Sequence, residues 1–161
     1  MDAPAPRDRL EAMAERLNIR KLSVGSESLE TLAAFQAMRR AERKARGEPA
    51  YSRHVTRMWP KRAEEVLATG GCMYWIIKGV MQARQPILDF EEVILEDGIR
   101  RCGIVLDQEL IPVAPRPSRP FQGWRYFEAK DTPPDISDLP GEIDPAMPPE
   151  MLAELRELGL V

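Results

Sequence analysis

Three groups of side chains carry the chemistry open to this chain. Arg53, Arg57, Lys61 and Arg62 crowd the stretch RHVTRMWPKR. Lys78 and Arg84 lie an even number of residues apart in CMYWIIKGVMQAR. Arg116, Arg119 and Arg125 flank Trp124 and Tyr126 in APRPSRPFQGWRYF. Guanidinium forks suit phosphate oxygens, and aromatic faces stack on bases. Interleaved on a sheet, the two residue types are the equipment of single-stranded RNA recognition. A plainer assignment stands beside it. Trp124 and Tyr126 would be core packing, and the arginines would pair with Glu91, Glu92, Glu96 and Asp97.

Other chemistry has thinner support. His54 is the single histidine, and Cys72 and Cys102 are the two thiols. None sits at the short spacings of zinc sites, so no metal is implied. His54 as a general base, or Lys78 as a lysine of lowered pKa, would serve a small hydrolase-like enzyme. No GxSxG, HExxH, GxxxxGK[ST] or GxGxxG pattern occurs, so the sequence assigns no catalytic residue and no cofactor.

The elements that must position these groups follow from periodicity. Cys72–Arg84 alternates at period two, which predicts one long central strand. Met73, Trp75, Ile77, Gly79, Met81 and Ala83 would face the core. Cys72, Tyr74, Ile76, Lys78, Val80, Gln82 and Arg84 would share a second face that ends wettable. Gly79 inside that run suggests a bulge or a close backbone approach.

Before it, Ile19–Val24 reads as a strand with Leu22 and Val24 inward. Leu29–Ala45 reads as a helix capped by Ser28, with Leu29, Leu32, Phe35 and Met38 as its apolar stripe. Arg39, Arg40, Arg43, Lys44 and Arg46 complement the negative end of its dipole. Arg53–Trp59 is a second strand, and Pro60 opens a short helix over Lys61–Ala68.

After it, Ile87–Leu95 continues extended, Asp97-Gly98 makes a hairpin, and Arg100–Leu106 returns with Cys102, Ile104 and Leu106 alternating. Glu109–Val113 is a shorter strand. Ala114–Pro120 is a proline-stiffened arm holding Arg116 and Arg119 outward. Phe121–Phe127 is the last strand.

The order gives an α+β fold, with helices beside a curled, mostly antiparallel sheet able to close into a small barrel. Residues 1–18 read as an extension in which Arg9–Leu17 forms a short charged helix and Met13 is a candidate native start. Residues 19–127 form one domain. Residues 128–161 are an acidic, proline-rich tail with a short helix over Pro149–Leu158.

Charge divides along the same lines. Residues 1–52 carry ten basic and eight acidic side chains, a net +2. Residues 53–126 carry eleven and nine, again +2. Residues 127–161 carry two and nine, a net −7. A basic body hints at an anionic partner, against the alternative of a mixed solvated surface. No run of about 18 apolar residues is present for a membrane span. The charged N-terminus lacks the apolar stretch of a signal peptide, so a cytoplasmic setting with buried free thiols is expected.

RHVTRMWPKR, YWIIKGVMQARQPIL, EDGIRRCGIVLD and RPFQGWRYF together resemble a bacterial family of unknown function found chiefly in alphaproteobacteria, over roughly residues 19–136. That resemblance implies no activity. In architecture the chain also resembles the ASCH and PUA-like domains, small barrels that often bind RNA, although their GxKxxExR-type signature is absent.

The functional expectation is binding of RNA or another phosphate-bearing ligand. Arg53, Arg57, Lys61, Lys78 and Arg84 would meet phosphates. Arg116 and Arg119 would clamp from the proline arm, Trp124 or Tyr126 would stack, and Arg125 belongs to the same binding surface. The rivals are the hydrolase-like enzyme and an interaction module acting through Leu152, Leu155 and Leu158. Oligomeric state is not encoded locally.

Overall fold

A long, bent hairpin organises the protein. The structure, a computed structural model, describes residues 13–139. Its elements are β1 (Leu17–Leu22), α1 (Leu29–Ala45), β2 (Ser52–Thr56), α2 (Ala63–Ala68), β3 (Cys72–Ile77), β4 (Val80–Ile94), β5 (Arg100–Leu106), β6 (Ile111–Pro117) and β7 (Trp124–Glu128), followed by two short 3-10 turns. The strands order as β2-β5-β4-β3-β1-β7, with β6 added beside β4. The β1–β3 pair is parallel and every other pair is antiparallel. The α+β expectation of helices beside a mostly antiparallel sheet holds. The sheet is mixed and open, because the path ends on β2 and β7 without closing.

The central stretch is not one strand. Lys78 and Gly79 have φ of 49° and 77°, the pair of positive values a tight two-residue turn requires. Ile77 therefore pairs with Val80, and Ile76 with Met81. Such a turn reverses the parity of the alternation, so Met81 joins Cys72, Tyr74 and Ile76 rather than Met73 and Trp75. A bulge that leaves Gln82 unpaired restores it, setting Ala83 opposite Trp75 and Arg84 opposite Tyr74. An uninterrupted two-residue rhythm in sequence thus conceals both a turn and a bulge.

Two cores lie on the two faces of this hairpin. One gathers Leu17, Ile19, Met73, Trp75, Ile77, Ile104 and Leu106 beneath the helices. The other gathers Cys72, Tyr74, Ile76, Met81, Val113 and Phe127. β4 serves both. Its first half pairs with β3 and β6, and its second half with β5, across a bulge between Ile87 and Asp89. Strands change sheets at such irregularities. Gly71 is held where an added Cβ would overlap the Leu17 carbonyl oxygen, so β1 lies directly against the entry to β3.

Several elements correct the sequence reading. β1 starts at Leu17, inside the expected extension. Leu17 and Ile19 face the first core and Leu22 the second, while Val24 is 89% exposed. Ser28 caps α1 as expected, accepting the Thr31 backbone N–H at 3.1 Å. The apolar stripe of α1 fails, however. Steps of three residues drift about 60° each around a helix of 3.6 residues per turn. Phe35 and Met38 consequently point outward, 42% and 49% exposed. The inward face continues with Gln36 and Arg40, bonded to Gln85 and Ser52.

The proline arm is also largely strand. β6 runs through Pro117, and Val113, Ala114 and Pro115 are buried. Prolines are tolerated there because β4 is the one strand β6 pairs with, its other side meeting only an isolated bridge from Val113 to Asp135. Of the short helix expected over Arg9–Leu17, residues 13–15 are helical and Leu17 already belongs to β1, while residues 9–12 lie outside the described residues. The expected helix at Pro149–Leu158 lies outside them too.

Candidate functional site

The expected ligand surface does not assemble as one patch. Lys78 sits at the exposed turn tip, 3.4 Å from Glu27. Arg84 is 7% exposed, and its Nε and Nη2 donate to the two oxygens of Asp135 at 2.8 Å each. That ion pair raises the guanidinium pKa further and leaves Arg84 no access to a ligand. The shared wettable face of Lys78 and Arg84 is therefore absent. The turn rotates one cation to the tip, and a partner from the far end of the chain covers the other.

Arg53 pairs with Glu91 at 2.9 Å, and Tyr51 donates to the same carboxylate. Desolvation works to raise the Glu91 pKa, but the hydrogen bonds from Arg53 and Tyr51 outweigh it and hold the group below the usual carboxylate value. Arg53–Glu91 is a pairing the structural alternative expected, whereas Glu92 and Asp97 pair with Arg100 and Arg101, which stood outside the expected surface. Arg57, Lys61 and Arg119 are exposed. Arg125 is exposed too, donating to the Gln122 and Trp124 carbonyls and lying over Phe121.

Trp124 and Tyr126 pack on the first core, edge to face at 4.9 Å. The Trp124 indole donates to the Met58 carbonyl. The Tyr126 hydroxyl accepts the Arg62 backbone N–H at 3.0 Å. These are anchored side chains, and only Tyr126 reaches an open cleft.

That cleft has a volume of about 680 Å³ and lies along the β1–β7 edge. Arg20, Arg62, Arg116, Tyr126, Phe127, Glu128, Lys130 and Asp131 line it. A smaller hollow of about 270 Å³ adjoins it through Arg62, Glu128 and Lys130, and is lined also by Arg16 and Glu65. Of the residues singled out from the sequence, the structure brings Arg62, Arg116 and Tyr126 here. Arg16, Arg20 and Lys130 were not singled out by sequence reasoning. The available signal was modest. Arg20 lies between Asn18 and Leu22 on one face of β1, a charged residue where the alternation calls for an apolar one.

The cations differ in what they already hold. Arg62 is bidentate to Glu65, at 2.7 and 2.8 Å, and Lys130 lies 3.4 Å from Glu128. Arg116 donates to the Asp131 carbonyl. The Arg20 guanidinium is sandwiched by Phe121 and Phe127, each ring centroid 5.3 Å away. Its Nε is buried without a hydrogen-bond partner, and so is Nη1 of Arg16. A buried guanidinium N–H left unmet costs free energy, on the order of 1–3 kcal/mol. Arg20 lines the cleft and Arg16 the adjoining hollow, and guanidinium groups at such walls suit an oxyanion.

His54, Cys72 and Cys102 do not converge, and among the described residues no cluster of three or more metal-ligand side chains occurs. His54 is half-buried beside Trp75, and desolvation together with Lys21 and Arg39 lowers its pKa to about 4. Burial pushes the Cys102 thiol up to about 11. Among the described residues no helix is long and apolar enough to cross a membrane.

Compared with known proteins, residues 19–161 match the family described as a protein of unknown function, DUF1489. No curated protein and no solved structure matches the chain.

Proposed function

The chain belongs to the DUF1489 family, and we propose that it binds a phosphorylated nucleoside, as an RNA strand or a free nucleotide, in the cleft beside β1 and β7. One observation carries the reading: the Arg20 and Arg16 side chains line adjoining hollows, and each keeps a buried N–H with no protein acceptor. Phosphate oxygens are the acceptors such forks suit. The cleft volume falls in the range of about 300–1,000 Å³ typical of small-ligand sites. Two of the nearby acids are already matched, Glu128 on the cleft wall by Lys130 and Glu65 in the smaller hollow by Arg62. Arg116 and Tyr126 keep the roles expected of them, with Arg116 closing one wall and Tyr126 offering an aromatic surface. Arg57, Lys61, Arg119 and Arg125 are exposed and would steer a longer anionic strand toward the cleft. We read the setting as the bacterial cytoplasm and the curled sheet as PUA-like.

The test is equilibrium binding of a short single-stranded RNA, a mononucleotide and inorganic phosphate to the intact chain. Arg20→Met keeps the packing between Phe121 and Phe127 and removes the fork. It is expected to weaken binding about 10-fold or more, the value of one lost charge-assisted hydrogen bond. For RNA it should also reduce the salt slope by about 0.7. Equal affinity for RNA and mononucleotide assigns the site to one nucleotide, and a steeper RNA slope assigns it to a strand. Unchanged affinity and slope in Arg20→Met and in Arg16→Met reject the reading.

A further inference from the structure

The outer face of α1 is apolar and, among the described residues, uncovered. Ala34, Met38, Ala41 and Ala45 recur along it at helical spacing with Phe35 beside them, and all five are exposed. Single exposed apolar side chains are ordinary, but a continuous stripe marks a docking surface. The second half of the helix edges this stripe with positive charge. Arg39, Arg40, Arg43, Lys44 and Arg46 stand there against Glu42 alone. Arg39 and Lys44 are exposed and make no ion pair with any described residue.

The chain carries a segment of complementary character. Residues 149–158, PEMLAELREL, lie outside the described residues but inside the family match. On a helix, Met151, Leu155 and Leu158 would recur at i, i+4 and i+7 with Leu152 beside them. Glu150, Glu154 and Glu157 would border that stripe. A helix of about ten residues is marginal alone and draws its stability from packing. We propose that residues 149–158 dock as an amphipathic helix on the outer face of α1, with Met151, Leu155 and Leu158 against Phe35 and Met38 and the glutamates toward Arg39 and Lys44.

The path of the chain favours this face. Asp135 bridges Val113 in antiparallel sense, and the turn at 136–138 lies against β6. From there the chain heads for the start of β6 and the loop before it. In that loop the Asp107 carbonyl accepts from Gln85, which exchanges two further hydrogen bonds with Gln36, midway along α1. The nine residues 140–148 reach up to about 30 Å when extended. The 17 residues of α1 rise about 26 Å, so its whole length is accessible to the segment.

Crosslinking in the intact chain tests the contact. Cys72 and Cys102 are buried, so Met38→Cys and Leu155→Cys together supply the reactive pair. Mild oxidation should join the two within one chain. The yield should exceed about 10-fold that of Ile99→Cys with Leu155→Cys, since docking raises the effective concentration at α1 alone. Ile99 is exposed at the tip of the β4–β5 hairpin and serves as the control. Hydrogen exchange reads the same contact without added thiols. In Phe35→Glu the amides of residues 149–158 should exchange about 10-fold faster or more than in the unaltered chain. Phe35 and Met38 are exposed, so neither change disturbs the core. Unchanged exchange in Phe35→Glu, equal yields from the two cysteine pairs, or a crosslink between two chains overturns the docking.

Discussion

The Arg84 guanidinium and the Asp135 carboxylate face each other in parallel, with two N–H···O bonds of 2.8 Å, although 51 residues separate them in sequence. Both side chains are more than nine-tenths buried. Arg84 also donates to the Cys72 sulfur at 3.3 Å. Asp135 pairs with Val113 as an isolated bridge, and the Ala114 N–H donates to the Pro134 carbonyl. The ion pair thus clamps the segment after β7 across the second core, and that segment begins with the Lys130 and Asp131 wall of the cleft.

Breaking this pair from one side leaves a buried charge unmet. Asp135→Ala is expected to lower stability by about 3–5 kcal/mol. Replacing both partners by apolar residues of similar size, Arg84→Met with Asp135→Leu, should cost much less than the single change. Urea unfolding of the three proteins checks this. A double variant as unstable as Asp135→Ala would show that the segment is held by something other than charge compensation.

The Lys78-Gly79 turn stores strain at one position. Lysine at a φ of 49° occupies a region that costs an L-residue about 1–2 kcal/mol, less for asparagine. The Lys78–Glu27 contact is exposed and is worth little. Lys78→Asn should therefore stabilise the protein by about 0.5 kcal/mol, and Gly79→Ala should destabilise it by about 1 kcal/mol. Thermal unfolding shows the sign of each, with about 2–4 °C per kcal/mol expected at this size.

His54 imposes a pH dependence of definite sign. Its pKa is lowered from 6.5 to about 4 in the fold, chiefly by burial and then by Lys21 and Arg39. Between those values the unfolded chain binds the proton and the folded chain does not, so stability falls as pH drops from about 6.5 to about 4. Above that window His54 contributes no slope. The upper bound on the loss is about 3 kcal/mol. Urea midpoints measured across the window in chloride buffer should lose up to one proton's worth of slope in His54→Gln. An identical slope in that variant would place the proton uptake elsewhere.

Much of the scaffold could be read from local pattern. Cys102, Ile104 and Leu106 alternate into the core of β5 as their spacing predicts, Asp97-Gly98 turns the chain, and Ser28 caps α1. Each depends on residues only a few positions apart, and short-range sterics and hydrogen bonding decide them. The α+β class follows from the same signals.

What local pattern could not decide was the fate of the charges. Period two says that Arg84 faces the side of Tyr74, and the structure agrees. Whether that side is wet depends on Asp135, which arrives from beyond β7. The same holds for the cleft, whose cations come from β1, from the approach to α2, from β6 and from the turn after β7. A charge is stable in the interior only with its partner in place, and partners are chosen by the meeting of distant strands. The sequence alone therefore determined which segments extend, turn and coil, and tertiary packing decided which arginines were spent on the fold and which retain an unmet donor.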